Sequence, residues 1–525
     1  MSDSIKPLAA SQSEHSAADT LPLAELEPAL SAHVARSSKS VAIIGGGLAG
    51  MAAAAVACKR GLQVDLFEQS DHLGGRAGSM EEPWNGQVID QCQHVAMGCC
   101  GSFLDFCRRT GVEDCFQRHK TLHFIGPDGR RSDITSVAWL PTPLHLLPGL
   151  LQLKFLTWRE CWGIVRTLRK LIRLKISKEN NQETIGTWLR RQGQSDAVIE
   201  RFWSVVLTGA LSETVDYASL AAAKKVFADS FCSSRHAYEL ITPRIPLAEI
   251  FDRRVPEWLE RQGVRIHRGA RVAEINLREK GDAAVFLYNG IVQDFVAAIV
   301  AVPWFETPNL FSAFPANYPL KLKTVILSSS TANFLMKLVG LKQMPFASIT
   351  DVHLWFDRPI TPLPHAALVG RLSQWVFNGT YSDVNAQEQN RHFINNGPHP
   401  NPLPKGEGTS GSESKAYYYQ VVISAAHRVI NQNKADLLQT VLNDLRAVFP
   451  DARQAKLLHS RIVMMLRAVI SLQPGVDRLR PSQKTAIPNL FFAGDWTATG
   501  WPGTMEGAVW SGYLAAEGLL KYLGR

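Results

Sequence analysis

Three separated glycine-containing clusters stand out in this chain, and the types and spacing of residues in the first two could hold a diphosphate. Gly45, Gly47 and Gly50 form a G-x-G-x-x-G pattern, Glu68 follows 18 residues after Gly50, and Gly74, Gly75 and Arg76 come shortly after that. The first glycine lets the chain turn, the second lets backbone approach a pyrophosphate, and the third lets a helix lie close to a strand. Leu48 and Ala49 open that helix, whose free N–H groups and dipole favour a diphosphate. A carboxylate at Glu68 can accept hydrogen bonds from both hydroxyls of an adenosine ribose and suits one lacking a 2′-phosphate. The second glycine pair and its cation exceed what a bare nicotinamide site requires. A guanidinium at Arg76 can hold phosphate oxygens while Gly74 and Gly75 bring backbone close. The third cluster, Gly494-Asp495 followed by "WTATGWPGTMEGAV", lies near the C-terminus.

The elements that must position these residues are legible in the pattern. Val41 to Ile44 reads as a short buried strand, Ala49 to Arg60 as a helix of small residues stopped by Gly61, and "LQVDLFE" as a second strand. Leu490 to Ala493 reads as a strand, Gly494-Asp495 as a turn, and a helix starts at about Thr504. "GSFLDFCRRTG" is an expected helix, residues 120 to 230 are expected to be mostly helical, and "PLAEIFDRRVPEWLERQG" is an amphipathic helix stopped at Gly263. Asn289-Gly290 between two apolar runs signals a hairpin. Strands are expected at "DVHLWFDRP", "SQWVFN" and "AYYYQVVISA", and Leu437, Leu438, Val441, Leu442, Leu445 and Val448 form a helical stripe. Residues 1–39 read as a disordered tail, and 390–416, rich in Pro, Gly and Ser, as a flexible insertion.

At 525 residues with 46% apolar and 20% charged, the chain is long enough for two or more domains. Its eight cysteines include no C-x-x-C pair, and Cys92, Cys99, Cys100, Cys107 and Cys115 lack zinc-site spacing, so reduced buried thiols and no metal are expected. No uninterrupted apolar run reaches the roughly 18 residues of a spanning helix. The net charge of +9 is uneven: from Lys154 to Lys178 eight Lys/Arg oppose one Glu, interleaved with Leu, Phe, Trp and Ile. With the apolar "LPTPLHLLPGLLQL" ahead of it, this stretch reads as a basic amphipathic helix for an anionic membrane surface, the alternative being an ordinary solvated helix face. No nucleic-acid-binding motif accompanies it.

The run from the first glycines through Gly74-Gly75-Arg76 resembles the fingerprint of the GG-doublet flavoproteins, which include amine oxidases, polyene desaturases and protoporphyrinogen oxidase. The resemblance covers residues 40 to 525 apart from the insertion. It implies FAD as cofactor and an α/β fold: a Rossmann-like FAD-binding domain from 40–100, 240–310 and 455–525, interleaved with a mixed-sheet-plus-helices substrate domain from 101–239 and 311–454. It also implies that Asp495 holds ribityl or diphosphate oxygens, that the helix terminus at Thr504, Met505 and Glu506 faces the flavin C2 carbonyl, and that the Val272 backbone pairs with adenine.

Within that group "VHLWFDRPI", "QWVFN", "VVISA" and above all "DWTATGWPGTMEGAV" are similar to the hydroxysqualene dehydroxylases, squalene-associated flavoproteins of bacterial hopanoid pathways. Cys92 stands where that family usually has glycine before Gln93-His94. The resemblance implies reduction of hydroxysqualene to squalene by FADH2, an electron donor, neighbours in squalene synthesis, and a place in the cytoplasm at the inner face of the cell membrane. Replacing an allylic hydroxyl by hydrogen requires an acid, an apolar channel and a dry site. His94, Asp351 and His353 are the candidate acids, and Trp355, Phe356, Trp375, Phe377 and Trp501 candidate tunnel residues; each has an alternative reading as a core or strand-face residue. The alternatives in function are a carotenoid-type desaturase or isomerase and a non-catalytic isoprenoid carrier like the Rab GDP-dissociation inhibitors.

Overall fold

Val41–Ile44, four apolar residues with neither face exposed, is the central strand of a five-stranded parallel sheet in the order Arg265–His267, Val64–Phe67, Val41–Ile44, Ala297–Val300, Leu490–Phe492. Burial on both faces requires cover on both sides, which accounts for the continuous apolar runs. The computed structural model describes residues 40–177, 182–277, 283–287, 292–311, 329–379 and 416–525. The expected tail 1–39, the insertion 390–416 (apart from Ala416) and the Asn289-Gly290 turn lie outside these residues. The strands that flank that turn, Ala283–Leu287 and Val292–Phe295, pair antiparallel.

The helix Leu48–Lys59 is buried along nearly its whole length and packs against Met505–Tyr522. Small side chains make this possible. A Cβ on Gly512 would stand 2.3 Å from the Ala49 carbonyl oxygen, and one on Gly50 would stand 1.9 Å from that of Gly45. Alanine, the strongest helix former, supplies most of the remaining positions.

A second, seven-stranded sheet runs Leu457–Ile470, Phe346–Phe356, Tyr417–Ile423, Trp375–Asn378, His365–Leu368, Thr121–Ile125, Arg131–Thr135, antiparallel except where His365–Leu368 meets Thr121–Ile125. One face packs on the stripe of Lys434–Val448, with Leu437, Val441, Leu442, Leu445 and Val448 buried. Two expectations are corrected here. Residues 121–135 are a hairpin and not helix: β-branched and aromatic residues alternate about "GPDG", a turn signal in which Gly129 takes a φ of 78°. Residues 457–470, assigned by sequence with the cofactor segments, join the seven-stranded sheet, because pairing with Phe346–Phe356 satisfies their backbone.

Helices span much of 158–231, including Trp158–Arg173, whose first turn is closed by a capping box between Thr157 and Glu160. Among the described residues three π-helical turns, Ile199–Ser204, Lys225–Phe231 and Glu249–Arg254, interrupt the helical segments.

Candidate functional site

The two glycine clusters build one surface. Gly74 N–H donates to the Gly46 carbonyl at 2.9 Å, and Gly47 and Gly74 bridge in parallel. Gly45, Gly74 and Gly75 have φ of 113°, 96° and 59°, a region that side chains resist. A Cβ on Gly47 would meet nothing within 4 Å, so open space stands before the helix that Leu48 and Ala49 begin. Glu68 sits at the end of Val64–Phe67 with its carboxylate drawn to the glycine turn, accepting from Gly46 N–H at 2.7 Å and Ser70 N–H at 3.0 Å. Ala270 N–H donates to the Glu68 carbonyl at 2.8 Å, which brings Val272, buried at the start of its strand, alongside.

The C-terminal motif closes on the same surface. Arg76 donates to the Asp495 carboxylate and, at 2.6 Å, to the Ala468 carbonyl, so residues far apart in sequence form one polar wall. Gly494 N–H is held by the Ser511 hydroxyl at 2.7 Å. Thr504 caps the Met505–Tyr522 helix by accepting from Gly507 N–H at 3.2 Å. Met505 is the first residue of that helix. Glu506, in the first turn of that helix, turns its side chain away: it is fully buried, and its carboxylate accepts from the Ser102 and Phe103 N–H groups at 3.1 and 2.8 Å. It therefore caps the neighbouring helix Gly101–Thr110, which has no side-chain cap of its own, and only its backbone remains at the terminus.

Sequence reasoning missed the residue that holds the closing loop. Arg480 is buried and donates to the Asp495 and Trp501 carbonyls at 3.1 and 2.8 Å. Nothing in "RLRPSQK" separates it from Arg478. Lys225, from the second π-helical turn, places its ammonium 4.5 Å from the Trp501 ring centroid, a cation–π distance.

Asp90 to His94 leads from the Val88–Asp90 strand across the end of this surface. His94 Nδ1 stands 2.8 Å from the Cys92 carbonyl; because a carbonyl only accepts, Nδ1 carries hydrogen and Nε2 is the open nitrogen. Burial lowers its pKa and the Arg76 cation acts in the same sense, so the ring is neutral. His353, on the sheet strand beneath, has Nδ1 2.7 Å from the Tyr418 hydroxyl, and burial pulls its pKa down to about 4. Both histidines are poor acids at neutral pH. Asp351 differs. It is 2% exposed, no hydrogen bond of ordinary length reaches either oxygen, and burial, with the Asp90 charge acting in the same sense, pushes its pKa up to about 7 against the weaker, longer-range pull of the Cys92 thiol, the Gln420 side chain and the Gln93 backbone. Burial, with Asp351 adding to it, also raises the Cys92 thiol. Of the expected tunnel residues, Trp355, Phe356 and Phe377 are buried, and Trp375 and Trp501 half-buried.

The residues present fit FAD: an open glycine-lined helix terminus, an adjacent carboxylate for a ribose, and an arginine–aspartate wall beside a second helix terminus. The model for flavin-containing amine oxidoreductases matches residues 48–520. A zeta-carotene desaturase from Synechocystis sp. is 22% identical over 502 residues, covering 92% of this chain and 98% of that protein. A 15-cis-phytoene desaturase from Solanum lycopersicum is 23% identical over 499 residues, covering 92% and 77%. Among solved structures, an oxidoreductase from Methanosarcina mazei superposes with a TM-score of 0.65 at 17% identity over 91% of this chain and all of that one. Cyclohexylamine oxidase from Brevibacterium oxydans does so with 0.64 at 16% over 93% and all of that one. With a family model matched along most of its length, the chain belongs to the flavin-containing amine oxidoreductase family and is an FAD-dependent oxidoreductase.

Proposed function

We propose that this oxidoreductase reduces an allylic isoprenoid alcohol, hydroxysqualene, to the hydrocarbon squalene. The observation that carries the reading is Asp351, a carboxyl beside Cys92 and Gln93 whose pKa burial raises to about 7, so that it exchanges its proton near neutral pH. Breaking the C–O bond requires a proton on the departing hydroxyl; hydride then forms the C–H bond, and water leaves. Bound reduced flavin supplies the hydride, and two electrons per turnover come from a separate donor. Asp351 supplies protons from behind the Cys92–His94 segment, His94 offers an acceptor nitrogen that orients the hydroxyl, and Glu68, Arg76, Asp495 and the Thr504–Glu506 terminus hold the cofactor. Val272 would receive the adenine.

A second reading, polyene desaturation, draws support from the likeness to the two desaturases over 92% of the chain. That reaction removes hydride and a proton from substrate, so it calls for a base. Photoreduced enzyme mixed with hydroxysqualene without oxygen is expected to give squalene in one turnover as oxidised-flavin absorbance returns. Bleaching of oxidised enzyme by squalene or phytoene, with new conjugated double bonds, would establish desaturation instead.

A further inference from the structure

The helix Trp158–Arg173 buries Cys161, Ile164, Thr167 and Leu171 and turns a mixed face outward. Trp158 is 67% and Trp162 47% exposed. These two, with Val165, line one shallow groove together with Arg166, Arg169, Lys170 and Arg173. The apolar residues lie toward the start of the helix and the cations toward its end. None of the four cations forms an ion pair among the described residues; Lys170 donates to Gln192. In the preceding segment Trp139, Leu144 and Leu151 are also exposed. An exposed patch with large aromatics costs free energy in water unless something covers it.

We infer that this face docks the enzyme on an anionic lipid bilayer, the tryptophans entering the headgroup–acyl boundary and the cations pairing with lipid phosphates. Indole rings are amphipathic and settle at that depth, and unpaired cations beside them match the surface charge. A second copy of the chain is a poorer occupant, because two such faces would bring like charges together. The assignment rests on the surface alone and stands whichever reaction the flavin performs. Its position suits an apolar substrate: the Lys225–Phe231 turn packs beneath the helix, and Lys225 of that turn lies on Trp501 of the cofactor loop.

The test uses the full-length holoenzyme and vesicles of phosphatidylcholine with or without phosphatidylglycerol. Co-sedimentation with the mixed vesicles is expected to exceed that with phosphatidylcholine alone and to fall with salt. Changing Arg166, Arg169, Lys170 and Arg173 to Gln should reduce partitioning by about fivefold per cation, with the flavin spectrum and melting temperature of wild type. Brominated acyl chains should quench part of the tryptophan emission of wild type and clearly less of that of the Trp158→Phe, Trp162→Phe variant, which keeps the exposed Trp139. Undiminished co-sedimentation of the quadruple variant, unquenched wild-type emission, or a preference of the face for RNA over vesicles would each overturn the assignment.

Discussion

Two buried carboxyls carry the most informative titrations at the residue scale. Burial pushes Asp351 and Asp90 each up to about 7, while an unfolded chain titrates aspartate at about 3.9. The folded protein thus holds protons that the unfolded chain releases, so their contribution to stability falls as pH rises from about 4 to about 7 and is constant above. Asp351→Asn should flatten part of that fall, measured as denaturant midpoints across the range. If Asp351 supplies the proton, kcat should decline as pH rises through about 7, and Asp351→Asn should remove that limb and lower kcat by about 10²-fold or more. A variant with undiminished turnover and the same pH profile would remove Asp351 from the mechanism. Glu68 tests the cofactor instead: Glu68→Ala should weaken FAD binding by about 1–3 kcal/mol, read by titrating apoprotein with FAD, because ribose hydroxyls and the Gly46 N–H lose their acceptor.

Helix packing is the limiting constraint at the element scale. Leu48–Lys59 and Met505–Tyr522 approach so closely that Gly512 faces the Ala49 carbonyl. Gly512→Ala adds helix propensity, yet its Cβ would stand 2.3 Å from that oxygen, so overpacking outweighs the gain. A destabilisation of about 1–3 kcal/mol is expected, together with looser FAD retention, since both helices present their N-termini to the site. An unchanged melting temperature and flavin content would show that the helices can separate without loss. Glu506 belongs to this scale too: by capping Gly101–Thr110 it ties the C-terminal helix to the segment that follows His94.

At the scale of the whole molecule, the cofactor surface draws on both ends of the chain, and Arg76 and Asp495 join them. FAD bound to the folded state only should stabilise it by about 4 kcal/mol at a thousandfold excess over Kd. Deflavinated protein should therefore melt at a lower temperature and recover when FAD is restored. Calorimetry showing equal melting temperatures would mean that the two ends are held together without the ligand's help.

The amino-acid sequence by itself determined the strand–helix–strand unit, the glycine turns, Glu68 and the C-terminal strand–turn–helix, because local spacing and steric demand set them. Buried apolar runs and glycines at positive φ leave few alternatives. The stripe of Lys434–Val448 and the strands carrying Asp351 and Gln420 were legible for the same reason. The tertiary structure alone decided the rest. Thr121–Thr135 became a hairpin because a seven-stranded sheet offered partners, and 457–470 joined that sheet and not the parallel one. Arg480 acquired its role from carbonyls that folding brings to it. The Glu506 side chain turned from its own helix terminus to the uncapped N–H groups of a neighbouring helix, and His94, His353 and Asp351, equal candidates in sequence, were separated by burial and by the groups that folding set around each. Desolvation and long-range hydrogen bonds are properties of the assembled molecule, so no local pattern encodes them.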